Sequence, residues 1–289
     1  MYHEALNRSA GFQPALFSHA ARAGWRPALR TSLAICLLAA PAVAAPRVYS
    51  LDQCADQYVL ALSPRAAIVG LSRRAANRDA YLAAQVGDLP RRRATTEAVL
   101  GARPDVVVRY WGGDDRLAAD LGRRGIRVVK IADATDFAGV RNNIVRVAAA
   151  LGRPAAGAGL IGRMDGQLAA AGGAGRGARA LYLTTGGYTA GPGTLVDAMM
   201  SAAGLSNLAA GRGFHPVRLE SLVLRPPSAM VLGFFDGALD GFQRWSVGRH
   251  QVLRRVADGR TLVSLPGAIL GCPAWFAADG AARIARAVR

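Results

Sequence analysis

Beyond residue 44 this 289-residue chain holds only two glutamates, Glu97 and Glu220, and they stand in repeated settings. Thr96-Glu97-Ala98-Val99-Leu100-Gly101-Ala102-Arg103-Pro104 aligns with Leu219-Glu220-Ser221-Leu222-Val223-Leu224-Arg225-Pro226-Pro227, and an apolar run follows each final proline. Each copy reads as a short helix that starts near the glutamate, is stopped by proline and feeds a buried strand. A carboxylate at a helix start gains only about 0.3–1 kcal/mol from the positive helix end. Aspartate would serve equally, and the chain has sixteen.

Thiol and imidazole chemistry comes next. Of the three cysteines, Cys36 lies in the N-terminal stretch, which leaves Cys54 and Cys272. An even pair in an exported chain reads first as a disulfide, with two buried thiols or half of a metal site as the alternatives. His215 and His250 are the histidines of the same region, and neither lies at ligand spacing from the other or from a cysteine, so no metal site is expected. Two histidines are also too few for a receptor of bare zinc or manganese. Cys54 with His215 would suit a thiol hydrolase, but no local cysteine-enzyme signature surrounds either residue. The glycine-rich stretch Thr184-Thr185-Gly186-Gly187-Tyr188-Thr189-Ala190-Gly191-Pro192-Gly193 follows a strand-like run, yet it has neither the dinucleotide fingerprint nor the P-loop lysine. A Gly-x-Ser-x-Gly nucleophile elbow is absent. No catalytic residue and no resident cofactor are expected, and an exported α/β enzyme is the rival class.

The sequence carries 36 Lys+Arg against 19 Asp+Glu, a formal charge of +17, with Lys130 its only lysine. The arginines are scattered through apolar segments and form no basic arm interleaved with aromatics, so nucleic acid is not an expected partner. Hydrophobic residues at 52% exclude a disordered chain.

Arg22, Arg26 and Arg30 precede an uncharged run, 33–45, in which Ala42-Val43-Ala44 comes just before Ala45. That is the grammar of a signal peptide cleaved near Ala44. A run this short, interrupted by Pro41, does not span a hydrocarbon core that needs roughly 20 residues. Cys36 follows Ile35, where a lipidated cysteine would want a small residue. Residues 1–44 are therefore read as leader, and the expected mature chain is soluble with a net charge of +14.

These candidates must be held by an α/β scaffold. Near-continuous apolar runs at 47–51, 67–71, 106–108, 126–131, 180–183, 229–232 and 261–265 read as buried parallel strands, and helical periods lie between them. Val140, Ile144, Val147 and Leu151 share one helical face, and Gly152-Arg153-Pro154 closes that helix and opens another. The expected layout is an N-terminal α/β lobe at 45–138, connecting helices at 139–177 and a C-terminal α/β lobe at 178–289.

In this order the motifs resemble the periplasmic substrate-binding proteins of ABC importers for iron chelates, haem and vitamin B12. The carriers are the run 47–56, Glu97 to Val108, Tyr110-Trp111-Gly112-Gly113, Gly187-Tyr188-Thr189-Ala190-Gly191-Pro192-Gly193 and the run 265–272. The resemblance covers essentially all of the mature chain. It implies two Rossmann-like lobes bridged by a long α-helix, here from about 154 to 172, with a ligand cleft between them. By this resemblance Tyr110, Trp111, Tyr188 and Phe214 form the aromatic walls of the cleft. Arg91 falls on a further aromatic position of the vitamin B12-binding members, and Arg73 and Arg74 stand where those members carry a tyrosine. A corrinoid cage is thereby weakened, whereas aromatic edges with guanidinium forks suit a planar or anionic chelate such as a ferric siderophore or haem. The phenols of Tyr110 and Tyr188 could reach the chelate's metal or simply pack against it. Glu97 and Glu220 are implied contacts for arginines on the two subunits of an inner-membrane ABC permease dimer. The implied protein is a periplasmic monomer that binds and delivers.

Overall fold

The computed structural model describes residues 45–224, 226–237, 255 and 259–289. The expected leader at 1–44, with Cys36 inside it, and His250 lie outside the described residues.

The first sheet is built from β1 (Val48–Ser50), β2 (Ile68–Ser72), β3 (Arg91–Arg92), β4 (Val106–Arg109) and β5 (Arg127–Lys130), in the order β3-β2-β1-β4-β5. All pairings are parallel, with Val48 beside Val106 and Val107 beside Val128. The helices around it are α1 (Gln53–Leu62), α2 (Thr96–Ala102) and α3 (Asp115–Arg123). Then come α4 (Phe137–Ala150) and α5 (Pro154–Ala171). The second lobe comprises β6 (Arg179–Thr184), β7 (Tyr188–Ala190), α6 (Leu195–Ala202), β8 (Ser206–Asn207), β9 (Phe214–Pro216), α7 (Leu219–Leu224), β10 (Ala229–Gly233) and β11 (Thr261–Leu265). Its parallel sheet runs β11-β10-β6-β8, and β7 pairs antiparallel with β9 as a separate ribbon. A short helix, Gly267–Leu270, and a final helix, Ala277–Ala287, complete the chain.

The two lobes repeat one plan: β2-β1-β4-β5 in the first corresponds to β8-β6-β10-β11 in the second. Helix α2 feeds β4 as α7 feeds β10, and each strand begins nine residues after its glutamate. Buried on both faces, such strands carry the uniform apolar runs seen in the sequence.

The expected long helix is α5, with Pro154 in its first turn and a length of about 27 Å at 1.5 Å per residue. It is tied to α4 by Arg141, whose Nη2 lies 2.5 Å from Asp165 Oδ1. One apolar core runs through both lobes, joining Val108 beneath the first sheet, Ile144 and Met164 of the connecting helices, and Tyr182 of the second sheet.

Cys54 and Cys272 form a disulfide, with Cα atoms 5.4 Å apart, which decides among the three readings left open by the sequence. The residues after Cys272 return to the first lobe. Tyr58 donates its hydroxyl to Pro273 O at 2.6 Å and meets Trp275 edge-on, and Tyr81 stacks on Phe276 with centroids 4.4 Å apart. Tyr81 also donates to the Asp279 carboxylate.

Candidate functional site

In a parallel sheet every strand ends at the same edge, and ligands of α/β folds bind outside that carboxyl edge. The loop after β4 carries Tyr110 and Trp111 there. Its shape is imposed from below by Asp52, a buried residue with four backbone donors on one carboxylate. Oδ1 caps α1 by accepting from Cys54 N at 3.1 Å and Ala55 N at 3.0 Å, and Oδ2 accepts from Tyr110 N at 2.7 Å and Gly112 N at 2.9 Å. Gly112 must lack a side chain, since a Cβ would lie 2.6 Å from Leu51 O. From the other side the buried Arg109 guanidinium gathers the loop's end, donating to Gly113 O at 3.1 Å, Asp114 O at 3.2 Å and Asp115 Oδ1 at 3.0 Å. The loop is rigid before any ligand arrives, so less ordering entropy opposes binding.

Trp111 stands 55% exposed on this loop. Tyr110 is half-buried and donates its hydroxyl to the Asp133 carboxylate. Burial first, and then that carboxylate, push the Tyr110 phenol well above its ordinary range. A phenol kept protonated in this way is suited to packing and poorly suited to metal ligation.

In the second lobe, Tyr188 and Phe214 sit on the β7–β9 ribbon and are 48% and 62% exposed. Tyr188 pairs with Pro216 and Ala190 with Phe214, so Tyr188 and Phe214 are diagonal neighbours on one face, about 7–8 Å apart. Gly191 makes the ribbon possible, because a Cβ there would fall 1.7 Å from Gly211 O. The glycine-rich stretch that superficially suggests a phosphate loop is thus the approach to a hairpin-like platform.

The arginines are placed differently. Arg73 follows β2 and is exposed, and Arg91 lies on the edge strand β3. At about 4.8 Å per strand they stand two and three strands from β4, roughly 10 and 14 Å across the sheet. The sheet therefore sets both apart from Tyr110. A two-residue Arg-Arg strand has no apolar signal to reveal it in the sequence.

Phe234 is an aromatic that sequence reasoning missed. It follows β10 at the carboxyl edge with φ +63°, a left-handed conformation that is an outlier for a bulky residue. Gly267 sits beside it: a Cβ there would lie 3.2 Å from the Phe234 ring and 3.8 Å from Asp79 Cβ of the first lobe. Asp52, Arg109 and Asp133 were missed too. An aspartate just ahead of α1 is a visible helix-cap signal, but its reach to residues 110 and 112 is not.

Glu97 and Glu220 are exposed in the first turns of α2 and α7, without ion-pair partners among the described residues. Thr95 already caps α2 by accepting from Ala98 N at 3.3 Å, so Glu97 is not needed for that. A helix returning into a parallel strand starts at the carboxyl edge, which puts both glutamates on the edge that bears the aromatics of their own lobe.

Behind Asp52 lies Asp56, fully buried, accepting from Ser72 N at 2.8 Å and Ser72 Oγ at 2.5 Å. Burial raises its pKa to about 6, against the lowering effect of those hydrogen bonds. With the folded value above the unfolded one, its contribution to stability is full below about pH 4 and is lost as pH rises through 6. Asp56→Asn should therefore be more stable than the parent at pH 7.5, by about 2–3 kcal/mol, with the gap closing toward pH 4. Paired urea melts at pH 4.5 and 7.5 check this; a gap independent of pH would assign the carboxylate an ordinary titration.

Comparison with known proteins adds the following. The family described as "Periplasmic binding protein" matches residues 48–233. A "Cobalamin-binding protein" of Halobacterium salinarum is 28% identical over 223 residues, covering 72% of this chain and 59% of the relative. The chain thus spans under two thirds of the curated relative it matches. Among solved structures, the periplasmic heme-binding protein RhuT from Roseiflexus sp. RS-1 superposes with a TM-score of 0.64 at 22% identity, over 85% of this chain and 100% of that one. The periplasmic vitamin B12 binding protein BtuF of Vibrio cholerae gives 0.59 at 17% identity, over 84% and 96%. At these identities the likeness is one of fold.

Proposed function

The chain belongs to the periplasmic binding protein family, and from that premise we propose that it captures a bulky metal chelate, a ferric siderophore or haem, and delivers it to an inner-membrane ABC permease. It works in the periplasm after loss of the leader 1–44, as a monomer, by binding and not by catalysis. The observation that carries this reading is the set of exposed aromatics at the carboxyl edges of both sheets: Trp111 on a braced loop, Tyr188 and Phe214 on one ribbon face. Apolar area left in water on rigid supports gains when a flat ligand covers it. Arg73, just after β2, and Arg91, on the edge strand β3, serve as a cationic rim for the chelate's oxyanions rather than as close walls. Glu97 and Glu220, equivalent and without ion-pair partners among the described residues, supply one permease contact from each lobe.

A corrinoid is the second reading, favoured by the cobalamin-binding relative. Titrating the mature protein with ferric siderophores, haem and cobalamin while following tryptophan fluorescence separates the two, because exposed Trp111 reports occupancy. Saturable quenching by a ferric siderophore or haem is expected. Tyr188→Ala should weaken that binding about tenfold, near 1.4 kcal/mol, without moving the thermal midpoint. Saturation by cobalamin alone would replace the chelate reading with the second.

A further inference from the structure

We propose that the second lobe holds a separate binding site for a small amphipathic anion, an oxyanion head of the carboxylate or phosphate class on a short apolar body. The site is a cavity of about 840 Å³ between β6, the β7–β9 ribbon and α7. It is distinct from the aromatic platform because of the ribbon's alternation. Tyr188 and Phe214 share one face, whereas Thr189 and its register partner His215 belong to the opposite face and line the cavity, which meets the platform face only at the ribbon's end, at Pro216.

Two features define the ligand. The apolar lining comes from Leu181, Leu208 and Leu222, a small cluster apart from the main core, and asks for a hydrocarbon body. Arg179, Arg212 and Arg218 also line the cavity; all three are exposed, and none has a carboxylate partner among the described residues. Guanidiniums around a cavity whose described lining holds no acid select an anion over a neutral or cationic head.

Octyl phosphate and octanoate are the soluble probes, and phosphatidylglycerol vesicles the lipid arm, each titrated into isotope-labelled mature protein followed by amide NMR. The expected result is saturable shifts at Thr189, Gly211 and Leu222, with Trp111 unmoved and with octyl glucoside inert. Arg218→Gln should weaken octyl phosphate at least tenfold. Vesicles that give the same shifts would name a lipid headgroup as the source of the oxyanion; shifts with the soluble probes alone would name a free anion. Absence of saturable shifts with every probe, equal binding of octyl glucoside, or affinity unchanged by Arg218→Gln would overturn the site.

Discussion

Exchanging Glu97 and Glu220 together for Gln should leave chelate affinity and thermal stability nearly unchanged and cut uptake through the reconstituted importer by on the order of a hundredfold. The two residues are exposed and carry no ion pair among the described residues, so the fold loses almost nothing. Their proposed partners are permease arginines, and a hydrogen bond to a charged group is worth about 1.5–3 kcal/mol. Losing two at the lower figure removes about 3 kcal/mol from the docked complex, near two orders of magnitude. Rim charges also steer encounter, so the single variants should show a weaker salt dependence of association. Since the lobes repeat one plan, Glu97→Gln and Glu220→Gln should cost similar amounts. Undiminished transport by the double variant would remove the docking role and leave the binding site untouched.

Replacing Cys54 and Cys272 by Ala should lower stability by about 5 kcal/mol. The bridge spans 218 positions of sequence, and the chain-entropy relation gives that figure for a loop of this length. The loss should extend to binding, because the bridge anchors the start of α1, which is capped on Asp52 through Cys54 N and Ala55 N, and the other Asp52 oxygen holds Tyr110 and Gly112 in place. Denaturant midpoints of the parent and the double variant measure the first effect, and fluorescence titration the second. A loss under about 1 kcal/mol would assign the closure of the chain to the packing of Tyr58 and Tyr81 on Trp275 and Phe276.

The contrast between what was and was not legible in the sequence is physical. Both sheets were visible because strands such as β4 and β10 are covered on two faces and must be apolar throughout. The Glu97 and Glu220 settings were visible because a helix, a stop and a strand each leave a local mark. β3 was not, since an edge strand of two arginines has no such mark, and β7 and β9 were hidden among glycine, threonine and histidine that pair across 24 or more residues. Tyr110 and Trp111 came from the family resemblance; that Asp52 and Arg109 hold their loop depends on approaches that only the folded chain makes. The left-handed backbone of Phe234 has no sequence signal, because nothing about phenylalanine favours it.

The return of residues 272–279 to the first lobe governs the order in which the protein is completed. Tyr58 and Tyr81 find Pro273, Trp275, Phe276 and Asp279 only across about two hundred residues of chain. Such long closures are entropically costly and slow, and here they cannot begin until residues 272–279 have been synthesised. Until then the first lobe waits with two aromatic side chains uncovered, the kind of surface that aggregates or recruits chaperones. Residues 272–279 thus act as the seal on a lobe whose last strand is made more than a hundred residues earlier, and a chain cut short at Cys272 would leave that lobe unfinished.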